Sequence, residues 1–190
     1  TAKRSIRVIY FDGSGTFAAE TNEGVPCVWA SDIELDGAGC AHFSLHFPGE
    51  AEALACELGL RGVHNVSNAS AVAALAWQAG VDPARIAEAL KASAPEAGRQ
   101  EILQGKGDIT IINDAYNANP DSMRASLAMF SALNVKHKRY AVLGDMGELG
   151  SFAEACHEAV GTFAATQKLD YLICVGELAR SIARGALEAG

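Results

Sequence analysis

One strand–loop–helix stretch, residues 109–133, constrains the fold of this chain more than any other feature. It opens with a β-branched run at 109–112, which predicts a short buried strand. A polar segment rich in Asn and Asp follows. Pro120 ends that segment, just before Asp121 and Ser122, which favour a helix start. A strand that opens through a polar loop into a helix is the repeating unit of α/β proteins.

The loop in this stretch supports two interpretations on residue chemistry alone. Asp114 ends the predicted strand, and the free N–H groups and the dipole of the following helix favour an anionic ligand at its N-terminus. The alternative is a plain connecting loop, capped by Asn and Asp turns, that binds nothing. The residues by themselves favour neither interpretation.

The alternation of strand and helix continues to the end of the chain. The predicted strands are 109–113, 140–143 and 171–175, and the predicted helices are 122–133, 152–167 and 177–188. Such alternation predicts a parallel sheet with right-handed crossovers. Each strand is followed by an acidic or small-residue loop, which contains Asp114, Gly144-Asp145 or Gly176-Glu177. We expect these loops to share the sheet edge where open α/β folds bind ligands.

The first half of the chain has a different pattern. Ser5–Phe11 is predicted to be a strand, and short alternating runs with tight connections then predict an antiparallel meander. The runs are 28–35, 41–47 and 53–58, and the helices predicted after them are 66–79 and 83–92. Residues 93–98 break this pattern, so we predict two domains, 1–97 and 98–190.

His42 and His46 lie four residues apart on one of these predicted strands. Alternation puts Phe43 and Leu45 on one face and both histidines on the other. Two such histidines can bind a metal, but a solvated polar face explains the same pattern, and Ser44 between them is a poor ligand. We therefore expect no metal here.

Charge and cysteine content exclude several classes of function. The 190-residue chain has a formal net charge of −8, which argues against a broad surface for nucleic acid or an anionic membrane. No apolar run approaches the roughly 20 residues of a membrane helix. The five cysteines are scattered and odd in number, so free thiols in a reducing cytosol are expected, without disulfides or zinc.

Four motifs in a fixed order indicate a known family. They are Gly62-Val-His-Asn-Val-Ser-Asn68, Gly98-Arg-Gln-Glu101, Asp114-Ala-Tyr-Asn-Ala-Asn-Pro-Asp-Ser-Met-Arg124 and Gly144-Asp-Met-Gly-Glu-Leu-Gly150. Together they resemble the Mur ligases, and most of all the members that join D-alanyl-D-alanine to UDP-N-acetylmuramoyl-tripeptide. In that reaction ATP phosphorylates the tripeptide carboxylate, and the dipeptide amine then attacks the acyl phosphate.

The resemblance implies a domain arrangement and cofactors. Residues 1–97 would be the end of a central ATP-binding domain, and 98–190 an incomplete, Rossmann-like C-terminal domain with a parallel sheet and flanking helices. The family's phosphate-binding loop and magnesium ligands would lie upstream of Thr1, and further strands would lie beyond Gly190. The chain by itself is therefore expected to be inactive.

The resemblance also assigns residues at the first motif. Asn65 and Asn68 would surround the adenine of ATP, with support from His64. An Asn side chain offers a donor and an acceptor in one plane, which matches the edge of adenine. The alternative is that Asn65 or Ser67 only caps the helix that begins here.

In the later motifs, Arg99 would bind the nucleotide phosphates and act in catalysis as an electrostatic clamp, although a solvated charge at a hinge is the alternative. Asp114 would accept hydrogen bonds from the ribose hydroxyls, and Asp145 and Glu148 are candidates for the dipeptide amine. The residues expected near the acyl phosphate and the dipeptide are Tyr116, Asn117, Ser122 and Asn119, the last also catalytic.

Two other functions fit the same residues. The first is another carboxylate–amine ligase of the superfamily, such as a sister Mur enzyme or a folylpolyglutamate-type ligase. The second is a noncatalytic nucleotide-binding module, because the 190 residues contain no Gly-x-x-x-x-Gly-Lys-Ser/Thr loop, and Gly105-Lys106-Gly107 lacks both the spacing and the hydroxyl.

Overall fold

The computed structural model describes residues 7–17 and 24–190. Its contacts divide the chain into two compact units, Thr1–Ala94 and Pro95–Gly190. The division lies three residues before the boundary predicted at 97, inside the segment 93–98 where the sequence pattern breaks.

The first unit contains a four-stranded sheet in the order β1-β2-β3-β4. Its strands are β1 (Tyr10–Asp12), β2 (Cys27–Leu35), β3 (Cys40–His46) and β4 (Leu54–Arg61). Strands β2, β3 and β4 pair antiparallel in chain order, which confirms the predicted meander. Strand β1 pairs parallel with β2. It begins five residues later than predicted, and residues 5 and 6 lie outside the described part of the chain.

Helices α1 (His64–Gln78) and α2 (Pro83–Lys91) pack on one face of this sheet, and the hydrophobic core of the unit lies between them and the strands. Phe43 and Leu45 of β3 are buried against them, as the alternation predicted. Helix α2 begins as expected, because the Asp82 carboxylate accepts the N–H of Ala84 at 2.9 Å. The alternative in which Asn65 or Ser67 caps α1 is wrong, since Val63 is the N-cap and the helix start has no side-chain cap hydrogen bond.

The second unit corrects the predicted sheet. Strand β6 (Thr110–Asn113) pairs antiparallel with β5 (Glu101–Gln104), which the sequence did not predict. Strands β7 (Tyr140–Gly144) and β8 (Tyr171–Val175) form a separate parallel pair. In the described part of the chain β6 is therefore paired with β5 in a sheet of its own, and the common edge expected for three strand ends holds only for the loops after β7 and β8.

Three helices complete this unit, α3 (Pro120–Ala132), α4 (Ala153–Ala165) and α5 (Ala179–Ala189). They agree with the predicted helices to within about two residues. The core between α3, α4 and the parallel pair is built from Leu127, Ala141, Met146, Val160 and Ala164. The α/β class is thus confirmed. Within the described residues, no helix is long and apolar enough to span a membrane.

Helices α4 and α5 pack closely because glycine stands at both contact points. A Cβ on Gly161 would lie 1.9 Å from the carbonyl oxygen of Ile182, and one on Gly185 would lie 2.2 Å from that of Glu158. Backbone atoms cannot move aside as the end of a long side chain can. These two glycines therefore set the distance between the helices.

We predict that Gly161→Ala destabilises the protein by about 1–3 kcal/mol, because the added methyl group must push α5 away from α4. Gly147→Ala is the matched control, since its added Cβ would meet nothing within 4 Å. Urea unfolding of both variants measures the difference. Equal stability of the two variants would contradict the close packing.

Candidate functional site

Two of the four sequence motifs meet in the second unit. The Glu101 carboxylate accepts the N–H of Gly98 at 3.0 Å and the side-chain amide of Asn113 at 3.1 Å. The N–H of Tyr116 donates to the carbonyl of Gly98 at 3.0 Å. The turn at residues 98–101 is therefore joined to the end of β6 by hydrogen bonds from both sides.

Asp114 lies at the centre of this cluster and is half-buried. Its Oδ1 accepts the N–H of Gln100 at 3.1 Å, and its Oδ2 accepts the hydroxyl of Ser126 from α3. Each carboxylate oxygen has two lone pairs, so both can accept a further hydrogen bond from a ligand. Ser126 was not identified from the sequence, because a serine twelve residues away on a helix gives no local signal.

Arg99 stands between two residues with left-handed backbone, Gly98 at φ 72° and Gln100 at φ 52°. Its guanidinium carbon lies 4.1 Å from the centre of the Tyr116 ring. Its Nε lies 3.9 Å from the Glu96 carboxylate, a long ion pair with 85% of the Glu96 side chain exposed. The turn thus presents Arg99 to solvent within the same cluster as Asp114.

Asn119 and Ser122 form the start of helix α3. The Asn119 side chain accepts the N–H of Ser122 at 2.9 Å, and the Ser122 hydroxyl accepts the N–H of Asn119 at 3.1 Å. This reciprocal pair is a capping box. Asn117 accepts the N–H of Ala118 at 2.9 Å. Three of the four predicted substrate residues, Asn117, Asn119 and Ser122, therefore have hydrogen bonds within the loop. The helix begins two residues earlier than the sequence suggested.

The first motif lies in the first unit, where Asn65 and Asn68 form a short relay. The Asn68 amide donates to the Asn65 side-chain oxygen at 3.0 Å, and the Asn65 amide donates to the carbonyl of Arg61 at 2.7 Å. His64 is the first residue of the helix. Both asparagines line a cavity of about 320 Å³ between α1, α2 and β4, whose other walls include Leu58, Leu60, Val72, Ile86 and Leu90.

Hydrogen bonds from the following helices hold the loop after β7. The Asp145 carboxylate accepts the N–H of Ala179 at 2.7 Å and that of Glu177 at 3.2 Å, so it caps the start of α5. Its expected contact with the dipeptide amine stays a prediction. The fully buried His157, which the sequence analysis missed, accepts the N–H of Met146 at 2.8 Å. Glu148 is exposed, and its backbone is left-handed with φ at 60°.

His42 and His46 of β3 have partners within the protein. The His46 ring stacks on Trp29 with centroids 3.5 Å apart, and its Nε2 lies 2.9 Å from the hydroxyl of Ser31. Burial is the main cause that lowers the pKa of His46. His42 Nε2 lies 3.8 Å from the Asp36 carboxylate. That neither histidine binds a metal stays a prediction.

Comparison with known proteins supplies the family. The sequence profile of the Mur ligase glutamate ligase domain matches residues 98–190. A ligase of Mycobacterium leprae, UDP-N-acetylmuramoyl-tripeptide–D-alanyl-D-alanine ligase, is 31% identical over 206 aligned residues that include the whole chain. The chain belongs to the Mur ligase family. The ligase of the same name from Mycobacterium tuberculosis is 38% identical over 155 residues, or 78% of this chain.

The fold comparison agrees with this assignment to the Mur ligases. The crystal structure of MurF from Acinetobacter baumannii aligns with 94% of this chain at a TM-score of 0.78 and 31% identity. The chain spans 30% of the M. tuberculosis relative, 39% of the M. leprae relative and 41% of the A. baumannii chain.

We predict that Asn119→Ala lowers the stability of the protein by about 1 kcal/mol, because the N-terminus of α3 loses its cap. Asn119→Asp is the matched control, since a carboxylate oxygen can accept the same N–H. Thermal unfolding of both variants measures the effect. If Asn119→Ala is as stable as Asn119→Asp, the cap does not stabilise the helix.

Proposed function

We propose that this chain forms part of a Mur ligase that joins D-alanyl-D-alanine to UDP-N-acetylmuramoyl-tripeptide with ATP. The observation that carries the proposal is the oriented Asp114 carboxylate, with Arg99 on the adjoining turn. The names of the M. tuberculosis and M. leprae relatives, which describe this substrate pair, support the choice of substrates.

Asn65 and Asn68 contact the adenine base in this proposal. The relay uses one hydrogen of the Asn68 amide, which leaves its carbonyl oxygen and its second hydrogen able to pair with the edge of a base. The adjacent cavity of about 320 Å³ has the apolar walls that a flat aromatic ring requires. His64 supports the same end of helix α1.

Asp114 and Arg99 contact the rest of the nucleotide. Asp114 accepts hydrogen bonds from the ribose hydroxyls, while Gln100 and Ser126 hold its carboxylate in one orientation. Arg99 provides a planar fork of N–H groups that suits phosphate oxygens. As negative charge moves onto the leaving phosphate, the positive charge of Arg99 stabilises the transition state.

The remaining residues of the loop act on the incoming dipeptide. Asn117, Asn119 and Ser122 keep the loop in shape through the helix cap, so their contribution to substrate binding is through the backbone they position. This is a smaller role than the catalytic one expected for Asn119. Asp145 likewise positions the start of α5.

The described residues contain no preformed metal site. Among residues 7–17 and 24–190, no group of three or more His, Cys, Asp or Glu side chains could hold a metal ion. The metal ligands and the phosphate cradle of the reaction are therefore proposed to lie in other parts of the enzyme. This chain supplies binding and charge stabilisation for the nucleotide.

We predict that the 190-residue chain alone does not hydrolyse ATP, because phosphoryl transfer needs a phosphate cradle, a metal and in-line positioning together. Phosphate release is measured with purified chain, tripeptide substrate and D-alanyl-D-alanine. Turnover above background that disappears in Arg99→Ala would show that the chain contains a complete site.

In the ligase that contains this chain, we predict that Asp114→Ala raises the KM for ATP about tenfold or more, because charged hydrogen bonds to the ribose are lost. Asp121→Ala, which removes an exposed carboxylate from the first turn of α3, is the matched control. Steady-state kinetics with D-alanyl-D-alanine and with single amino acids give the KM and the amine specificity. Unchanged ATP kinetics would contradict the site, and faster ligation of a single amino acid would favour a sister ligase.

A further inference from the structure

We propose that Tyr116 is a positioning residue that acts through the face of its ring, holding the Arg99 guanidinium ready for the nucleotide phosphates. This inference rests on the proposed function and changes the expected role of Tyr116, which the sequence placed beside the acyl phosphate. In this proposal Tyr116 need not touch the substrate at all.

The ring of Tyr116 has a partner but little packing. Tyr116 is 69% exposed, and the guanidinium carbon of Arg99 lies 4.1 Å from the centre of the Tyr116 ring. At that distance a cation is attracted by the negative face of the aromatic ring. An aromatic side chain left so exposed gains little from burial, so this contact is its main specific interaction with the second unit.

The backbone brings the two side chains together. The N–H of Tyr116 donates to the carbonyl of Gly98, the residue before Arg99, at 3.0 Å. The left-handed backbone at Gln100 is unfavourable for a residue with a Cβ. It is held by the bond from Gln100 to Asp114, and Glu101 ties Gly98 to Asn113 on the other side. The direction of Arg99 is thus fixed at its Cα, while its long side chain needs a restraint of its own.

The ring is a better restraint for this purpose than a carboxylate. A guanidinium held over an aromatic face keeps its N–H groups, which lie in its own plane, available to phosphate oxygens. A close carboxylate would occupy those N–H groups, and the carboxylate of Glu96 lies 3.9 Å from Nε. The chemistry therefore requires the ring of Tyr116 but not its hydroxyl.

A spectroscopic test on the 190-residue chain measures the contact directly. The Arg99 Nε–H resonance should show an upfield ring-current shift that Tyr116→Phe retains and Tyr116→Leu removes. Tyr140→Leu, which removes an exposed tyrosine stacked on Tyr171, is the control and should leave the resonance unchanged. An Arg99 resonance that is the same in Tyr116→Leu and in the unaltered chain would overturn the proposal.

Kinetics of the ligase that contains this chain test the consequence. Tyr116→Leu should raise the KM for ATP about two- to fivefold, the effect of one exposed cation–π contact, while Tyr116→Phe leaves it unchanged. In an Arg99→Ala background, Tyr116→Leu should have no further effect. The positioning role of Tyr116 would be overturned if Tyr116→Phe and Tyr116→Leu raised the KM equally. It would also be overturned if the effects of Tyr116→Leu and Arg99→Ala on the KM added fully.

The two proposals fail in different ways. If Arg99→Ala itself leaves ATP kinetics unchanged, the phosphate contact is wrong, and both the proposed site and the positioning role of Tyr116 are overturned. If Arg99→Ala impairs the enzyme but Tyr116→Leu adds its full effect in that background, only the role of Tyr116 is wrong.

Discussion

The Asp114 carboxylate is the interaction on which the candidate site depends. It is the point where three segments meet, because it directly follows β6, accepts the N–H of Gln100 from the 98–101 turn and accepts the hydroxyl of Ser126 from α3. A half-buried carboxylate needs such partners to offset its lost hydration. Those partners also fix its direction, so the bonds that stabilise the local fold also prepare the residue to receive ribose hydroxyls.

Regular local patterns in the sequence predicted most of the fold. Apolar spacing and helix-start residues located the five α-helices of residues 7–17 and 24–190, and strict alternation located β3 and its buried face. Strand β5 (Glu101–Gln104) was missed because it is defined by its pairing with β6, which is a tertiary contact that no local pattern shows. With β6 paired to β5, the three strand ends do not share one sheet as the alternation predicted.

The candidate site was predictable by residue type but not by role. Motif order singled out Arg99, Asp114 and Tyr116, and the structure brings them into one cluster. Motif order could not show that Asn119 and Asp145 already serve as helix caps, since Asn and Asp suit caps and ligands equally well. Ser126 and the buried His157 act on residues distant in sequence, and no local pattern identifies such partners.

Nucleotide analogues measure the proposed contact between Asp114 and the ribose without changing the rest of the site. The measurement is the KM of the ligase that contains this chain for ATP and for an ATP analogue that lacks both ribose hydroxyls. We predict that the unaltered enzyme prefers ATP by about tenfold or more and that Asp114→Ala accepts both nucleotides equally, because either change removes the same hydrogen bonds between the carboxylate and the ribose hydroxyls. An Asp114→Ala enzyme that still prefers ATP as strongly as the unaltered one would contradict the proposed contact.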